Sequence, residues 1–191
     1  IGIDEKVTII SSCFIMVVPD CNYGESGTFI FADCAVIPEP NARQLSRIAL
    51  SVAELGRKVL NLTPRIAFLS YSTKGSAKAR SKDKINEAIA MLKELSPEIL
   101  TDGELQLDAA IVPEVAQIKH PNGPLAGKAN VLIFPNLEAG NSGYKLTQRM
   151  SNGRALGPLL VGVNKPASDL SRGCLVEDVV DCAAVTAIRA Q

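Results

Sequence analysis

The sequence lacks several of the features by which common classes of protein are recognised. It contains no tryptophan and one histidine, and its charges balance, with 20 lysines and arginines against 20 aspartates and glutamates. A nucleic-acid-binding module normally carries a basic excess, because contacts with phosphates supply most of its affinity. The balance of charge therefore argues against DNA or RNA as a partner.

Long hydrophobic runs and paired cysteines are also missing. The most apolar stretch, Cys13–Val18, ends at Pro19, whereas a membrane-spanning helix needs about 20 apolar residues. No segment near the start is typical of a signal peptide. The five cysteines show no CxxC spacing, so a reducing cytoplasmic environment is expected and a metal site is not. The lone His120, beside Pro121, is interpreted as a surface residue.

Apolar segments of two kinds alternate along the 191 residues, of which 47% are hydrophobic. Short β-branched runs predict strands, and apolar residues at three- and four-residue spacing predict amphipathic helices. The alternation indicates an α/β fold, a mostly parallel sheet with helices on both faces. The predicted strands are Val7–Val18, Gly27–Val36, Arg65–Tyr71, Ile99–Asp102, Ala129–Pro135 and Pro158–Val163. The predicted helices are 42–60, Lys82–Leu95, Leu105–Lys119 with a break at Pro113, Tyr144–Met150 and Leu175–Ala190.

Two polar loops after predicted strands are candidate sites of modest specificity. Ser70–Ser76 is rich in hydroxyls and could hold a phosphate, but it lacks the spacing of a P-loop and a solvated loop is the preferred interpretation. Asp102–Asp108 contains three carboxylates that could bind a metal or act as acid and base. Acidic residues near a helix N-terminus are also stabilised by the helix dipole, and we favour that capping role here.

A third loop, Asp169–Cys174, leads into the terminal helix and is the most informative. A helix N-terminus attracts anions, and Arg172 adds a planar, permanently charged group suited to phosphate. Ser171 adds a hydroxyl, Gly173 lets the backbone approach a ligand, and Asp178 adds a carboxylate in the first turn. The same residues could simply cap the helix and contact solvent, so physical reasoning alone leaves the two interpretations even.

Five segments stand in fixed order along the chain: FLSYSTKGSA (68–77), DGELQLDAAIVP (102–113), AGKANVLIFP (126–135), NSGYKLTQR (141–149) and DLSRGC (169–174). Together they resemble the phosphate acetyl/butyryl transferase family, and more closely its acetyltransferases. The resemblance covers nearly the whole chain. It implies an isocitrate-dehydrogenase-like fold of two α/β domains with a cleft between them, a homodimer and a cytoplasmic location.

The resemblance also implies a division of the chain. Residues 8–165 would form the second domain, and residues 166–191 would return to the first domain as its terminal helix. Most of that first domain is then expected to precede Ile1, which makes this chain a partial unit of a longer polypeptide.

Site residues follow from the resemblance position by position. Asp178 matches the family's catalytic base, Ser171 and Arg172 match its phosphate-contacting pair, and Arg149 matches an arginine on the coenzyme A side of the cleft. The chain departs from the family's pattern at Leu156, where tyrosine is common, and at Ala167-Ser168, where Val-Asn is common.

The activity implied is reversible acetyl transfer between acetyl phosphate and coenzyme A, by direct attack of the coenzyme A thiolate, within acetate metabolism. Coenzyme A, acetyl-CoA, phosphate and acetyl phosphate are substrates, and no tightly bound cofactor or metal is expected. Cys174 could carry the acetyl group, but neither histidine nor lysine neighbours it in sequence. Two alternatives stay open: a non-catalytic acetyl-CoA sensor fused behind a malic enzyme, and an inactive fragment of an active parent.

Overall fold

The computed structural model describes residues 1–78 and 81–191. The helices are α1 (Ala42–Leu60), α2 (Lys82–Leu95), α3 (Leu107–Ile111), α4 (Pro113–Lys119), α5 (Leu137–Met150) and α6 (Val176–Arg189). The strands are β1 (Ser11–Val17), β2 (Thr28–Ala32), β3 (Arg65–Leu69), β4 (Leu100–Leu105), β5 (Val131–Ile133), β6 (Arg154–Val161) and β7 (Ala167–Ser168). Among these helices, none is both long and apolar enough to cross a membrane.

One sheet of seven strands, in the order β4-β3-β5-β2-β1-β6-β7, organises the chain. Strand β5 pairs in parallel with both β2 and β3, and β3 pairs in parallel with β4. Strand β1 is antiparallel to both of its neighbours, and β7 is antiparallel to β6. Five strands therefore run in one direction and two run against them, so the prediction of a mostly parallel α/β sheet is confirmed.

Helices cover the two faces of the sheet over separate hydrophobic cores. The first core packs α1, α2 and Val185 of α6 against residues such as Cys13 and Ile15 of β1. The second core packs α3 and α5 against the alternate residues of the same strand, Phe14 and Met16. Successive side chains of a strand point to opposite faces, and this alternation explains why continuous apolar runs serve both cores.

The longest helix, α1, shows how local sequence sets an element's limits. Asn41 accepts a hydrogen bond from the Gln44 backbone N at 2.9 Å, and the Gln44 side chain accepts one from the Asn41 N at 2.9 Å. This capping box satisfies two of the free donors at the helix start. Asn61 adopts a left-handed conformation at the other end, where asparagine is better tolerated than most residues.

The structure corrects several expected boundaries. The first two strands form an antiparallel hairpin, and the two-residue strand β7 was not predicted. Helix α5 begins at Leu137, seven residues before its predicted start at Tyr144, because the Asn136 side chain caps it by accepting from the Ala139 N at 3.0 Å. The expected short strand at Ile99–Asp102 extends to Leu105, which moves Asp102 and Glu104 into the sheet.

Candidate active site

The third candidate loop lies where the edge of the sheet is uncovered. In the described part of the chain, β7 pairs only with Leu159 and Leu160 of β6. The earlier part of β6 is therefore paired with β1 on one side and has no strand on its outer side. The loop after β7 passes this open edge, and the Asp169 backbone N donates to the Pro158 carbonyl at 3.0 Å. Helix α6 packs on the first core and α5 on the second, and the loop brings the start of α6 to the end of α5.

Local hydrogen bonds order the start of α6. The Cys174 N donates to the Ser171 carbonyl at 3.0 Å, and the Leu175 N donates to Asp178 Oδ2 at 2.8 Å. One turn later, Asp181 forms an ion pair with Arg154 of β6. Asp178 thus has the capping contact anticipated from sequence. Within the described residues only its Oδ2 is engaged, which leaves Oδ1 available to accept a proton.

A small cavity of about 160 Å³ collects most of the predicted site residues. Arg149 from α5, Ser171 and Gly173 from the loop, and Asp178 from α6 all contribute to its lining. The remaining lining residues are Phe14, Tyr144, Lys145, Gln148, Ala155, Gly157 and Cys174. The cavity therefore combines a carboxylate, two cationic side chains, two hydroxyls, an amide and a thiol with the aromatic rings of Phe14 and Tyr144, which we call its floor.

A larger cavity of about 540 Å³ adjoins the small one. Gln148, Arg149 and Asp178 line both, and the larger cavity adds residues such as Asn152 and Glu177. Its volume falls within the range of about 300–1,000 Å³ typical of pockets for sizeable organic ligands. Arg149 and Asp178 thus stand between a compartment for a small group and one for a large molecule.

Arg172 is the predicted site residue that lines neither of these cavities. Its side chain is exposed on the Asp169–Cys174 loop, whose residues Ser171 and Gly173 line the small cavity. A Cβ atom added to Gly173 would meet no described atom within 4 Å, so packing within this chain does not require glycine there. That free space is compatible with close approach of a ligand to the backbone.

Sequence reasoning missed the aromatic floor of the small cavity. Phe14 and Tyr144 stack with ring centroids 4.0 Å apart and an interplanar angle of 16°. The alternating pattern of β1 indicates that Phe14 is buried but does not identify its neighbours. Leu156 stands where tyrosine is common in the family. Its side chain packs against the first core, whereas its neighbours Ala155 and Gly157 line the cavity.

The two weaker candidate loops meet each other away from these cavities. Glu104 is 1% exposed, and its Oε1 accepts hydrogen bonds from Ser72 Oγ at 2.7 Å and the Gly75 N at 2.9 Å. The favoured capping role is therefore wrong for Asp102 and Glu104, which lie in β4. It holds for Asp108, which sits in the first turn of α3.

His120, expected from sequence to be a surface residue, is partly exposed and has a polar partner. Its Nε2 lies 3.1 Å from Asp102 Oδ2, and Lys74 pairs with the other oxygen of that carboxylate. The ion pair between Lys74 and Asp102 holds the Ser70–Ser76 loop against β4. Among residues 1–78 and 81–191, no three His, Cys, Asp or Glu side chains gather in a way that could hold a metal ion.

Solved structures of acyl-transferring enzymes share this architecture. The chain superposes on a phosphotransacetylase from Streptococcus pyogenes with a TM-score of 0.90 at 44% identity, covering 98% of this chain and 56% of that one. A branched-chain phosphotransacylase from Enterococcus faecalis matches with a TM-score of 0.81 at 25% identity, covering 96% of this chain and 64% of that one. The fold is thus that of the phosphotransacylases.

Sequence comparison defines the family more narrowly. The chain belongs to the phosphate acetyl/butaryl transferase family, whose model matches residues 1–187. It is 54% identical over 183 residues to a phosphate acetyltransferase of Thermoanaerobacterium thermosaccharolyticum, and 51% identical over 185 residues to that of Clostridium acetobutylicum. These matches cover 96% and 97% of this chain but 56% of each relative, so the chain spans little more than half their length.

Proposed function

We propose that the whole protein is a phosphate acetyltransferase, which moves an acetyl group reversibly between acetyl phosphate and coenzyme A. The observation that carries this proposal is the convergence of Arg149, Ser171 and Asp178 on one small cavity in a chain of this family. The small cavity suits the acyl phosphate, and the adjoining larger cavity suits part of the coenzyme.

In the proposed reaction, the sulfur of coenzyme A forms a bond to the acetyl carbon while the bond from that carbon to the phosphate oxygen breaks. Asp178 accepts the thiol proton through its free Oδ1. The phosphate leaves near Ser171 and Arg172, at the N-terminus of α6. A helix N-terminus favours anions, and arginine adds charge-assisted hydrogen bonds, so both stabilise the charge that develops on the leaving group.

Proton transfer needs more than an ordinary carboxylate. An unperturbed aspartate has a pKa of about 3.9 and a thiol one of about 8.5, and this difference costs about 6 kcal/mol at about 1.4 kcal/mol per unit. Positive charge beside the thiolate reduces the cost. Arg149 and Lys145 line the same cavity as Asp178 and are placed to provide that charge. Direct attack by the thiolate therefore needs no acetylated Cys174.

We also propose that the rest of the whole protein covers α6. Helix α6 faces the first core through Val185, whereas Val176 is 75% exposed and Val180 is uncovered on its outer side. The relatives are nearly twice as long as this chain, and a further α/β domain seated on residues 166–191 would bury these side chains. That domain would complete the cleft above the small cavity.

A homodimer in the cytoplasm is the proposed assembly, formed mainly through residues 8–165. This part of the chain leaves large apolar side chains in solvent, among them Ile118 on α4 and Met150 on α5, each 82% exposed. Burial of such side chains contributes roughly 25 cal/mol per Å² of apolar surface. Light scattering at micromolar concentration tests the assembly, and a purely monomeric protein would contradict it.

The activity is tested by mixing the whole protein with acetyl phosphate and coenzyme A and following the thioester. Phosphate acetyltransferase predicts acetyl-CoA and free phosphate in equal amounts. An acetyl-CoA sensor predicts binding without turnover. We favour the enzyme because Ser171 and Asp178, the family's catalytic positions, are retained and line one cavity.

A further inference from the structure

The floor of the small cavity is an aromatic pair on one hydrophobic core. Phe14 of β1 is 2% exposed and Tyr144 of α5 is 6% exposed, and both belong to the second core. Ala155 of β6 continues the same surface. The rings of Phe14 and Tyr144 and the methyl group of Ala155 thus give the cavity an apolar surface, while Arg149, Ser171 and Asp178 supply charged and hydrogen-bonding groups.

Packing fixes the position of this pair. A Cβ atom at Gly157 would lie 2.8 Å from Phe14 Cδ1 and 2.8 Å from the Cys13 carbonyl oxygen, so only glycine leaves room for the Phe14 ring. Tyr144 stacks on that ring. Helix α5 is held in turn by Asn141 Nδ2, which donates to the Cys34 carbonyl at 3.0 Å. Close-packed interiors resist local expansion, so the floor is rigid.

The cavity matches a small molecule with an apolar end and an anionic end. Its volume of about 160 Å³ equals roughly five water molecules at about 30 Å³ each. An acyl phosphate has this polarity, with a hydrocarbon group at one end and phosphate at the other. Tyrosine is uncharged at neutral pH because its ordinary pKa is about 10, so Tyr144 presents a neutral ring to the hydrocarbon.

We propose that Phe14 and Tyr144 form the wall that receives the hydrocarbon end of the acyl group and limits its length to very short chains. The proposal rests on the acyl transfer proposed above. The fold itself does not set this limit on chain length, because a branched-chain phosphotransacylase has the same fold. Side chains at the acyl site, rather than the fold, therefore set the limit, and Phe14 and Tyr144 supply the large apolar surfaces of the cavity.

The test compares binding of acetylphosphonate and butyrylphosphonate, unreactive analogues of the two acyl phosphates, to the whole protein by calorimetry. Phe14→Leu and Tyr144→Leu each shorten the wall and should shift the ratio of dissociation constants toward the butyryl analogue by at least about tenfold, because one methylene in an apolar pocket is worth about 10- to 200-fold. Ala155→Val, which narrows the cavity, should shift the ratio the other way.

Two control variants separate the wall from general effects. Tyr144→Phe keeps the ring and loses only the hydroxyl, so it should leave the ratio within about twofold. Phe134→Leu truncates a ring of the same core that does not line the cavity, and it should also leave the ratio unchanged.

The proposal is overturned if the folded Phe14→Leu, Tyr144→Leu and Ala155→Val variants keep the wild-type ratio, if Phe134→Leu shifts it equally, or if wild-type protein binds neither analogue. A lack of acetyl-CoA formation by wild-type protein that still binds acetylphosphonate would instead contradict the proposed activity and leave the selectivity result standing. If one variant fails to fold, the other two decide.

Discussion

Arg149 and Asp178 lie on helices that pack against opposite faces of the sheet, yet both line the same two adjoining cavities. This convergence is possible because β7 is two residues long and leaves the outer side of the early part of β6 without a strand. The start of α6 reaches around this edge to the end of α5. A cationic and an anionic side chain therefore flank the passage between the compartments proposed for the acyl phosphate and for coenzyme A.

Replacement of Asp178 tests its role as the base. Asp178→Asn keeps the shape and can still accept the Leu175 hydrogen bond, but it cannot take up the thiol proton. Turnover in the whole protein should fall by about 100- to 10,000-fold, the usual contribution of a general base, while both substrates bind nearly normally. The deficit should shrink as pH approaches the thiol pKa, because the thiolate then forms without help.

A purely capping Asp178 gives a different result. Loss of a helix cap typically lowers stability by about 0.5–2 kcal/mol and would leave turnover almost unchanged. Measuring turnover against pH together with the melting temperature distinguishes the two roles. Near-normal turnover at neutral pH would remove Asp178 from the mechanism.

Arg172 is expected to act through its positive charge and through the paired N–H donors of its guanidinium group. Arg172→Ala should lower turnover and weaken acetyl phosphate binding while leaving coenzyme A binding nearly intact, because the lost contact strengthens as the phosphate gains charge. Arg172→Lys keeps the charge but not the bidentate geometry, so it should recover only part of the rate. Steady-state kinetics with each substrate varied provides the measurement, and equal effects on both substrates would contradict a phosphate-specific role.

Ser72 is predicted to stabilise the fold without affecting the chemistry. Ser72→Ala removes a hydrogen bond at 2.7 Å to the buried Glu104 carboxylate, which should cost about 1–3 kcal/mol. Denaturant unfolding measures the loss, and acyl transfer by the folded variant should stay near wild type because Ser72 lines neither of the two site cavities. Ser142→Ala, on the exposed side of α5, is the control and should change stability by less than about 0.5 kcal/mol.

Cys13 should make stability depend on pH in the alkaline range. Burial, opposed by the charge of Arg189, raises the pKa of the Cys13 thiol from 9.0 to about 12. The folded state holds this proton more tightly than the unfolded state does. The thiol's contribution to the free energy of unfolding is therefore complete below pH 9.0 and is lost between pH 9.0 and about 12. The slope is about 1.4 kcal/mol per pH unit.

A comparison with Cys13→Ala isolates this effect. The variant is destabilised near pH 8 by the lost side-chain packing, but it has no thiol to titrate. The gap in unfolding free energy between the two proteins should therefore narrow by about 2 kcal/mol between pH 8 and pH 10.5. A constant gap would show that the Cys13 thiol has an ordinary pKa in the folded protein.

Much of the fold followed from periodicity, because helices such as α1 and α2 carry strong amphipathic patterns and bury one face. Strand direction did not follow, since a buried strand has the same apolar pattern whether its neighbour is parallel or antiparallel. The β1–β2 hairpin was missed for this reason, whereas β7 was missed because two half-buried residues carry no strand pattern. They also determine which edge of the sheet is open.

The residues of the candidate site also differ in how far the sequence alone identifies them. Ser171, Gly173 and Asp178 are close in sequence, so a single motif indicates them together. Phe14 comes from the other end of the chain, and only tertiary packing reveals its contact with Tyr144. Asp102 looked like a capping residue because its partners Lys74 and His120 lie 28 and 18 positions away, beyond the reach of local patterns.

Acetyl transfer itself is tested most directly by joining this chain to the remaining segment of the Thermoanaerobacterium relative, and by assaying the hybrid beside the 191-residue chain alone. Each is mixed with acetyl phosphate and coenzyme A, and thioester formation is followed. The hybrid should form acetyl-CoA, its Asp178→Asn variant should be at least about 100-fold slower, and the chain alone should be inactive for lack of the covering domain. A correctly folded hybrid that binds coenzyme A but forms no thioester would contradict the proposed function.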